Sequence, residues 1–366
     1  MLYNFPVRLL IPSLLFLLIA TACIFGNSTP YFSVSHVRKG TDFHFPVLNL
    51  QRDAKVETEI NQLLQLSELR SLVDRRRRDV FTQATIDDGS IYGRKISLFF
   101  DIHANNSRIL SLGFNNSSCG ATCTWWVKYY NFNPRNGDLI ALSDLFTADG
   151  YKAFTKMVVQ KRSREYRAEV ERKVSAEDRE AFLGVLGTIE NDELEEFSIG
   201  NGYITIDGQN CLGKSLSFDN VNMKVRSPLR EFKGLLNEYG KVVFGLKNGN
   251  VSKFRSNQLP QLFNGTVNGG SPFVAVLSTD FAGKIEGIYA YLKYRKGIYL
   301  TGTLSERSVA ITEHVLVETN MNLRTDSNHK FVDFGSILGT FDGYQLNGIW
   351  TDKDNLRSHQ ISALRD

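Results

Sequence analysis

Apolar and polar positions change their period several times along this chain. Residues 9–22 are apolar almost throughout, interrupted by Pro12. After a polar stretch, Phe43-His44-Phe45-Pro46-Val47-Leu48 opens a strand. Val56, Ile60, Leu63 and Leu64 then recur at helical spacing, which predicts an amphipathic helix over roughly residues 53–72. Strand signals follow at residues 96–102, 109–114 and 125–132. Asn133-Pro134-Arg135-Asn136-Gly137-Asp138 is hairpin chemistry, because Asn and Gly tolerate positive φ. Residues 149–186 have a helical pattern. Phe154, Met157 and Val158 form one apolar patch and Phe182, Leu183 and Leu186 another, with charges of both signs between Lys161 and Glu180. After a hairpin-like segment at residues 197–206, one helix is predicted with Ser227 as N-cap, Pro228 as first residue and Gly240 as its end. Its stripe is Leu229, Phe232, Leu235, Leu236 and Tyr239.

From about residue 260 the pattern becomes short alternating strands punctuated by glycine, at 265–267, 287–291, 298–303, 309–313, 339–341 and 348–351. Such spacing without a helix signal argues an antiparallel meander curled into a small barrel or sandwich. Tyr289, Tyr291, Tyr299 and Trp350 are assigned to its interior. The chain thus divides into an α+β domain at 41–246 (an antiparallel sheet with packed helices), a linker at 247–262 and an all-β meander domain at 263–366. The roughly 340 residues beyond position 22 suit two domains better than one.

The first 23 residues set the compartment. Arg8 precedes the apolar run, which ends in Ile19-Ala20-Thr21-Ala22-Cys23. The run is shorter than the roughly 20 residues a spanning helix needs, so residues 1–22 read as a signal peptide. The spacing resembles the bacterial lipobox, which implies a diacylglyceryl group on Cys23, a lipidated tether at 23–40 and an extracytoplasmic lipoprotein held to the cell membrane or outer membrane. An ordinary signal peptide with an incidental Cys23 is the alternative.

Export removes most kinase, dehydrogenase and DNA-binding readings. Neither a phosphate-cradling loop nor a Gly-x-Gly-x-x-Gly helix start is present. No cofactor, metal or nucleic acid is expected. The net charge of +4 is small for 366 residues, and Arg75-Arg76-Arg77-Arg78 is flanked by Asp74 and Asp79. That run suits a solvated helix end, or a contact with an anionic envelope polymer. Three cysteines remain, and a Cys119–Cys123 bridge, a bridge from either to Cys211, or zinc binding by all three stay open.

Three blocks of the first domain carry a family likeness: residues 43–47 with the helix behind them, the block from Tyr130 through Phe146, and the block from Ile199 through Phe232. Together they resemble the extracytoplasmic domain shared by the RsiV anti-sigma factor and the PdaC peptidoglycan deacetylase, over roughly residues 41–245. The resemblance implies an α+β fold without catalysis of its own, and in the anti-sigma factor this domain binds lysozyme. With eight residues ahead of the apolar run, no sigma-binding segment is expected, and the deacetylase's metal-binding pattern is not visible.

Candidate chemistry is sparse. Asp101 and His103, two apart on a strand, face the same side and could take part in a metal set, or with Ser97 or Ser107 in a triad; a surface polar pair is the plainer reading. Glu313 and His314 should point to opposite faces. Asp87-Asp88 reads as turn chemistry. Trp125, Val127 and Tyr129 share one face of a strand, and Trp126, Lys128 and Tyr130 the other. One set belongs to the core; the other either belongs to a core as well, which is the plainer reading, or forms an exposed platform suited to sugar or protein. The function expected is a membrane-anchored, non-enzymatic binding module for peptidoglycan or another wall polymer, or for a protein such as lysozyme. The alternatives are a wall-modifying hydrolase and a structural tether.

Overall fold

The computed structural model describes residues 30–73, 80–86, 95–119, 123–187, 194, 196–208, 221, 223–249, 260–280, 282–318 and 329–365. The signal peptide, Cys23, Arg75–Arg78, Asp87-Asp88, Cys211 and most of the 247–262 linker lie outside these residues.

The first domain is built on a five-stranded sheet: β1 (Ser33–Lys39), β2 (Phe43–Asn49), β3 (Lys95–Asn105), β4 (Leu110–Cys119) and β5 (Cys123–Phe132), in that order. β2 and β3 pair in parallel and the other neighbours antiparallel, so the sheet is mixed rather than wholly antiparallel. β1 occupies residues assigned to the tether. Val34 and Val37 pack on the core, and the strand registers on β2 from Ser33↔Asn49 to Lys39↔Phe43.

Between β2 and β3 the chain crosses one face as helix α1 (Ala54–Leu64), with Asp53 capping the amides of Lys55 and Val56. Val56, Ile60, Leu63 and Leu64 are buried as their spacing predicts. The helix does not continue regularly to residue 72. Gln65–Leu69 is a π turn, and Arg70 closes it at φ 58°. Polar side chains on the inner face account for the change of winding. Asn61 bonds both backbone groups of Leu48, and Gln65 accepts from the Val73 amide. Glu68 accepts from the Tyr130 hydroxyl at 2.7 Å and from Lys95 Nζ at 3.2 Å. A wider turn brings Gln65 and Glu68 inside together with Leu66 and Leu69.

A second core lies on the other side. Helix α2 (Ala148–Lys173), N-capped by Thr147, packs Phe154 and Val158 against a three-stranded sheet, β6 (Phe197–Gly200), β7 (Tyr203–Ile206) and β8 (Val225–Pro228). Helix α3 (Arg179–Gly184) adds Phe182 to a smaller cluster with Tyr166 and Val170. The single helix expected at 228–240 is divided into α4 (Leu229–Phe232) and α5 (Glu238–Val243). Ser227 is a buried strand residue there, and Asn237 starts a new helix by accepting from the Gly240 amide. Gly150 and Gly240 fit because a Cβ on either would meet backbone oxygen, of Leu235 at 2.2 Å and of Leu145 at 2.1 Å.

The second domain is a closed, all-antiparallel barrel of eight consecutive strands: β9 (Gln261–Val267), β10 (Ser271–Thr279), β11 (Lys284–Tyr291), β12 (Ile298–Ser305), β13 (Ser308–Glu318), β14 (His329–Phe341), β15 (Gln345–Asp352) and β16 (Ser358–Arg365). β16 closes on β9, leaving no free edge. Of the aromatics assigned inside, Tyr289 is buried in the barrel core, and Tyr291 and Trp350 pack on it. Tyr299 instead packs outward against the α1 core. The two domains share that core: Val274, Val276, Ile288 and Ala290 of the barrel exterior join Leu64, Leu66 and Leu69. Residues 70–73 dock on the turn between β11 and β12, through Leu72 N to Arg295 O at 2.8 Å and Gly297 N to Arg70 O at 3.0 Å.

Candidate functional site

The five-stranded sheet has α1 on one face only. On the other face its upper part is covered by β6, with Ser111 and Asn131 bonding the Ile199 amide. Among the described residues no element covers the lower part. Three cross-strand rows define it: Asp101–Gly113–Tyr129, Phe99–Asn115–Val127 and Ser97–Ser117–Trp125. Trp125 is 58% exposed and Phe99 37%, and His44 tilts against the Phe99 ring at 5.2 Å. Asn115 donates to Asp101 Oδ2 at 2.8 Å. Aromatic faces alternate here with amide and carboxylate groups, an arrangement that can stack a sugar ring and bond its hydroxyls.

At the covered end of this face stands a polar cluster. The strand irregularity between Ile102 and Ala104 makes His103 an extra residue, and it stays on the same face as Asp101. Its imidazole lies over Gly113, where a Cβ would come within 2.8 Å of Nε2, and 5.6 Å from the Tyr129 ring. Tyr129 donates its hydroxyl to Asp207 Oδ2 at 2.7 Å, and Lys224 Nζ pairs with the same oxygen at 3.0 Å. Burial pushes the His103 imidazole down, with the nearby Asp101 opposing. The imidazole is therefore neutral at pH 7, one nitrogen donating and the other accepting. Burial and then Asp207 push the Tyr129 phenol up, so it remains a hydrogen-bond donor.

The aromatic quartet read from the sequence is divided by this geometry. Trp125 and Tyr129 belong to the open face. Tyr130 does not belong to a binding surface: it is 1% exposed, inside the α1 core, with Glu68 on its hydroxyl. Trp126, half-buried, shares the helix-facing side with it. The cause is strand alternation, which sends even-numbered residues of β5 toward α1. Asp101 and His103 do share a side as predicted, but Ser97 bonds Ser117 instead of joining them. Ser107 lies in the turn beyond β3. Cys119 and Cys123 are disulfide-bonded and closest in register, stapling the β4–β5 hairpin below Trp125. Glu313 and His314 face opposite ways, Glu313 into the barrel and His314 outward to Thr301 and Asp333. Among the described residues no cluster of three His, Cys, Asp or Glu side chains is placed to hold a metal ion, and no helix is long and apolar enough to cross a membrane.

Sequence reading missed Phe99, Asp207 and Lys224. The last two reach the site from the ends of β7 and β8, 78 and 95 residues from Tyr129, and no local spacing announces such a meeting.

No known protein family matches the chain by sequence, and no curated protein matches it. Among solved structures, it is similar to a DUF3298 family member from Bacteroides fragilis NCTC 9343, at 13% identity, covering 58% of this chain and 96% of that one, with a TM-score of 0.38. A DUF3298 family protein from Pseudomonas aeruginosa PAO1 is similar at 10% identity, covering 57% of this chain and 94% of that one, with a TM-score of 0.35.

Proposed function

We propose that this chain is a lipid-anchored envelope protein whose first domain is a non-catalytic binding module for a wall polymer or a protein such as lysozyme. The reading is supported above all by the open sheet face, where exposed Trp125 and Phe99 stand beside Asp101 and Asn115. Large aromatics partly exposed on a hydrogen-bonding surface suit ligand contact. The lipobox resemblance of the leader supports an extracytoplasmic position for that surface, and the resemblance to the RsiV and PdaC domain supports the same class of partner. The test is co-sedimentation with purified peptidoglycan and capture on immobilised lysozyme, each at several salt concentrations. Saturable binding to one of them supports the proposal, and no saturable binding to either overturns it. Fatty-acid labelling lost in Cys23→Ala tests the anchor separately.

A second reading, a wall-modifying hydrolase, draws on the grouping of His103 with Asp101, Tyr129 and Asp207. Release of label from peptidoglycan that His103→Ala abolishes would establish it in place of the first.

A further inference from the structure

At the other end of β4 from the Trp125 row, two tight turns meet over a cleft of about 520 Å³. One turn joins β3 to β4 and supplies Asn106, Arg108 and Ile109. The other joins β6 to β7 and supplies Gly200, Asn201 and Gly202. Tyr31, just ahead of β1, and the end of α5 at Val243 and Phe244 complete the walls. The Asn106 side chain holds the two turns. Its Oδ1 accepts from the Arg108 and Ile109 amides at 2.9 and 3.2 Å, and its Nδ2 donates to Asn201 Oδ1 at 3.1 Å.

Arg108 is positioned but not engaged. A Cβ on Gly245 would lie 2.8 Å from its Cζ and 3.0 Å from each of Nη1 and Nη2, so the guanidinium lies flat on that glycine, which is itself at φ 71°. Contact through the flat face leaves the in-plane N–H donors free. A cation placed there only to cap α5 would bond its last carbonyls. Among the described residues, Arg108 makes no side-chain hydrogen bond or ion pair, and the Asn201 carboxamide N–H groups have no acceptor. No acidic side chain is found among the described residues that line the cleft, and Arg108 is the one charged group there. Charges nearby are already engaged: Arg135 donates to the Ser107 carbonyl at 3.3 Å, and Glu238 of α5 is paired with Lys241 and Lys247. Ile109, Val243 and Phe244 give the cleft an apolar side. An unpaired guanidinium and an unused amide donor beside an apolar wall match a carboxylate whose neighbouring carbon carries a small apolar group and an amide. That is the end of a peptide chain. The volume falls in the range of ordinary small-ligand sites.

We propose that this cleft binds the free C-terminus of a short peptide, its carboxylate on Arg108, its last peptide carbonyl on the Asn201 N–H and its small apolar side chain against Ile109 and Phe244. The site does not depend on the function proposed for the Trp125 face. Isothermal titration of the intact protein with N-acetyl-dialanine, as the L,L and D,D free acids, with the matching C-terminal amides and with acetate, tests it. At least one free acid is expected to saturate one site, and the form preferred tells a protein C-terminus from a wall peptide. The amide and acetate should each bind more weakly by on the order of tenfold or more. Arg108→Gln should weaken the acid by on the order of tenfold with the melting temperature unchanged, since the side chain is exposed, and Arg108→Lys should recover part of the loss. Trp125→Ala should leave this affinity unchanged. Absence of saturable binding by either acid, acid and amide of equal strength, or affinity indifferent to Arg108→Gln would overturn the proposal.

Discussion

The two domains each bury a glutamate, and they treat it differently. Glu68, 2% exposed, is held between the Lys95 ammonium and the Tyr130 hydroxyl, where the π turn meets the sheet. Glu313, 1% exposed inside the barrel, takes the Tyr289 hydroxyl at 2.6 Å, and burial pushes its carboxyl up. An open sheet crossed by a helix can bring a distant cation to a buried acid. A closed barrel filled by alternate side chains of its own strands has less room for a long basic chain, and burial without one raises the Glu313 carboxyl. The same contrast separates the surfaces. The barrel has spent one face of every strand on its interior, and Tyr294, Phe334 and Tyr344 are exposed on its outside, whereas among the described residues the sheet of the first domain has part of a face uncovered, where Phe99 and Trp125 are exposed.

Removing the cation from the first arrangement should have the largest effect. Lys95→Met leaves Glu68 without its charge partner and should cost about 3–5 kcal/mol in urea unfolding. A Glu68→Gln, Lys95→Met double variant should recover part of that loss, and a single-variant effect near zero would show the pair to be dispensable. Opening the Cys119–Cys123 staple with Cys119→Ser should cost about 2 kcal/mol, because the closed loop is short; thermal unfolding under oxidising and reducing conditions reads it.

The barrel glutamate predicts a pH effect of opposite sense to ordinary acid denaturation. Below about pH 4.3 a glutamate is protonated in both folded and unfolded chains. As pH rises, the unfolded chain releases its proton first, because the folded carboxyl is raised. Glu313's contribution to stability therefore falls from about pH 4.3 upward until the folded group also ionises. Glu313→Gln keeps the acceptor for Tyr289 and should remove this decline, so its melting temperature relative to wild type rises between about pH 4 and 8. An unchanged pH profile would mean that the carboxyl is not held protonated. The smallest stability effect belongs to Trp125→Ala, within about 0.5 kcal/mol, since the ring is mostly exposed.

Alternation and helical spacing made much of this molecule legible. The α1 stripe, the Asn-Gly turn, the division of the Trp125–Tyr130 run between two faces and the closed meander all follow from period two or period 3.6. Where the reading failed, an interaction distant in sequence had overridden a local signal. The Ser227-Pro228 start was outcompeted by pairing of β8 with β7, and the polar run before residue 40 was recruited to the sheet by β2. Strand β10 went unread because Phe273 and Ala275 face the barrel interior while Val274 and Val276 face α1, so both sides are apolar and no alternation shows. The candidate site was half visible: Asp101, His103, Trp125 and Tyr129 were singled out, but Asp207 and Lys224 reach them only through tertiary folding.

The claim that the open sheet face carries binding is tested most directly by measuring the affinity of wild type, Trp125→Ala and Trp126→Ala for whichever of peptidoglycan and lysozyme is bound. The account predicts a loss on the order of tenfold or more for Trp125→Ala with its melting temperature unchanged, and a smaller loss for Trp126→Ala. Equal affinity for wild type and Trp125→Ala would contradict it.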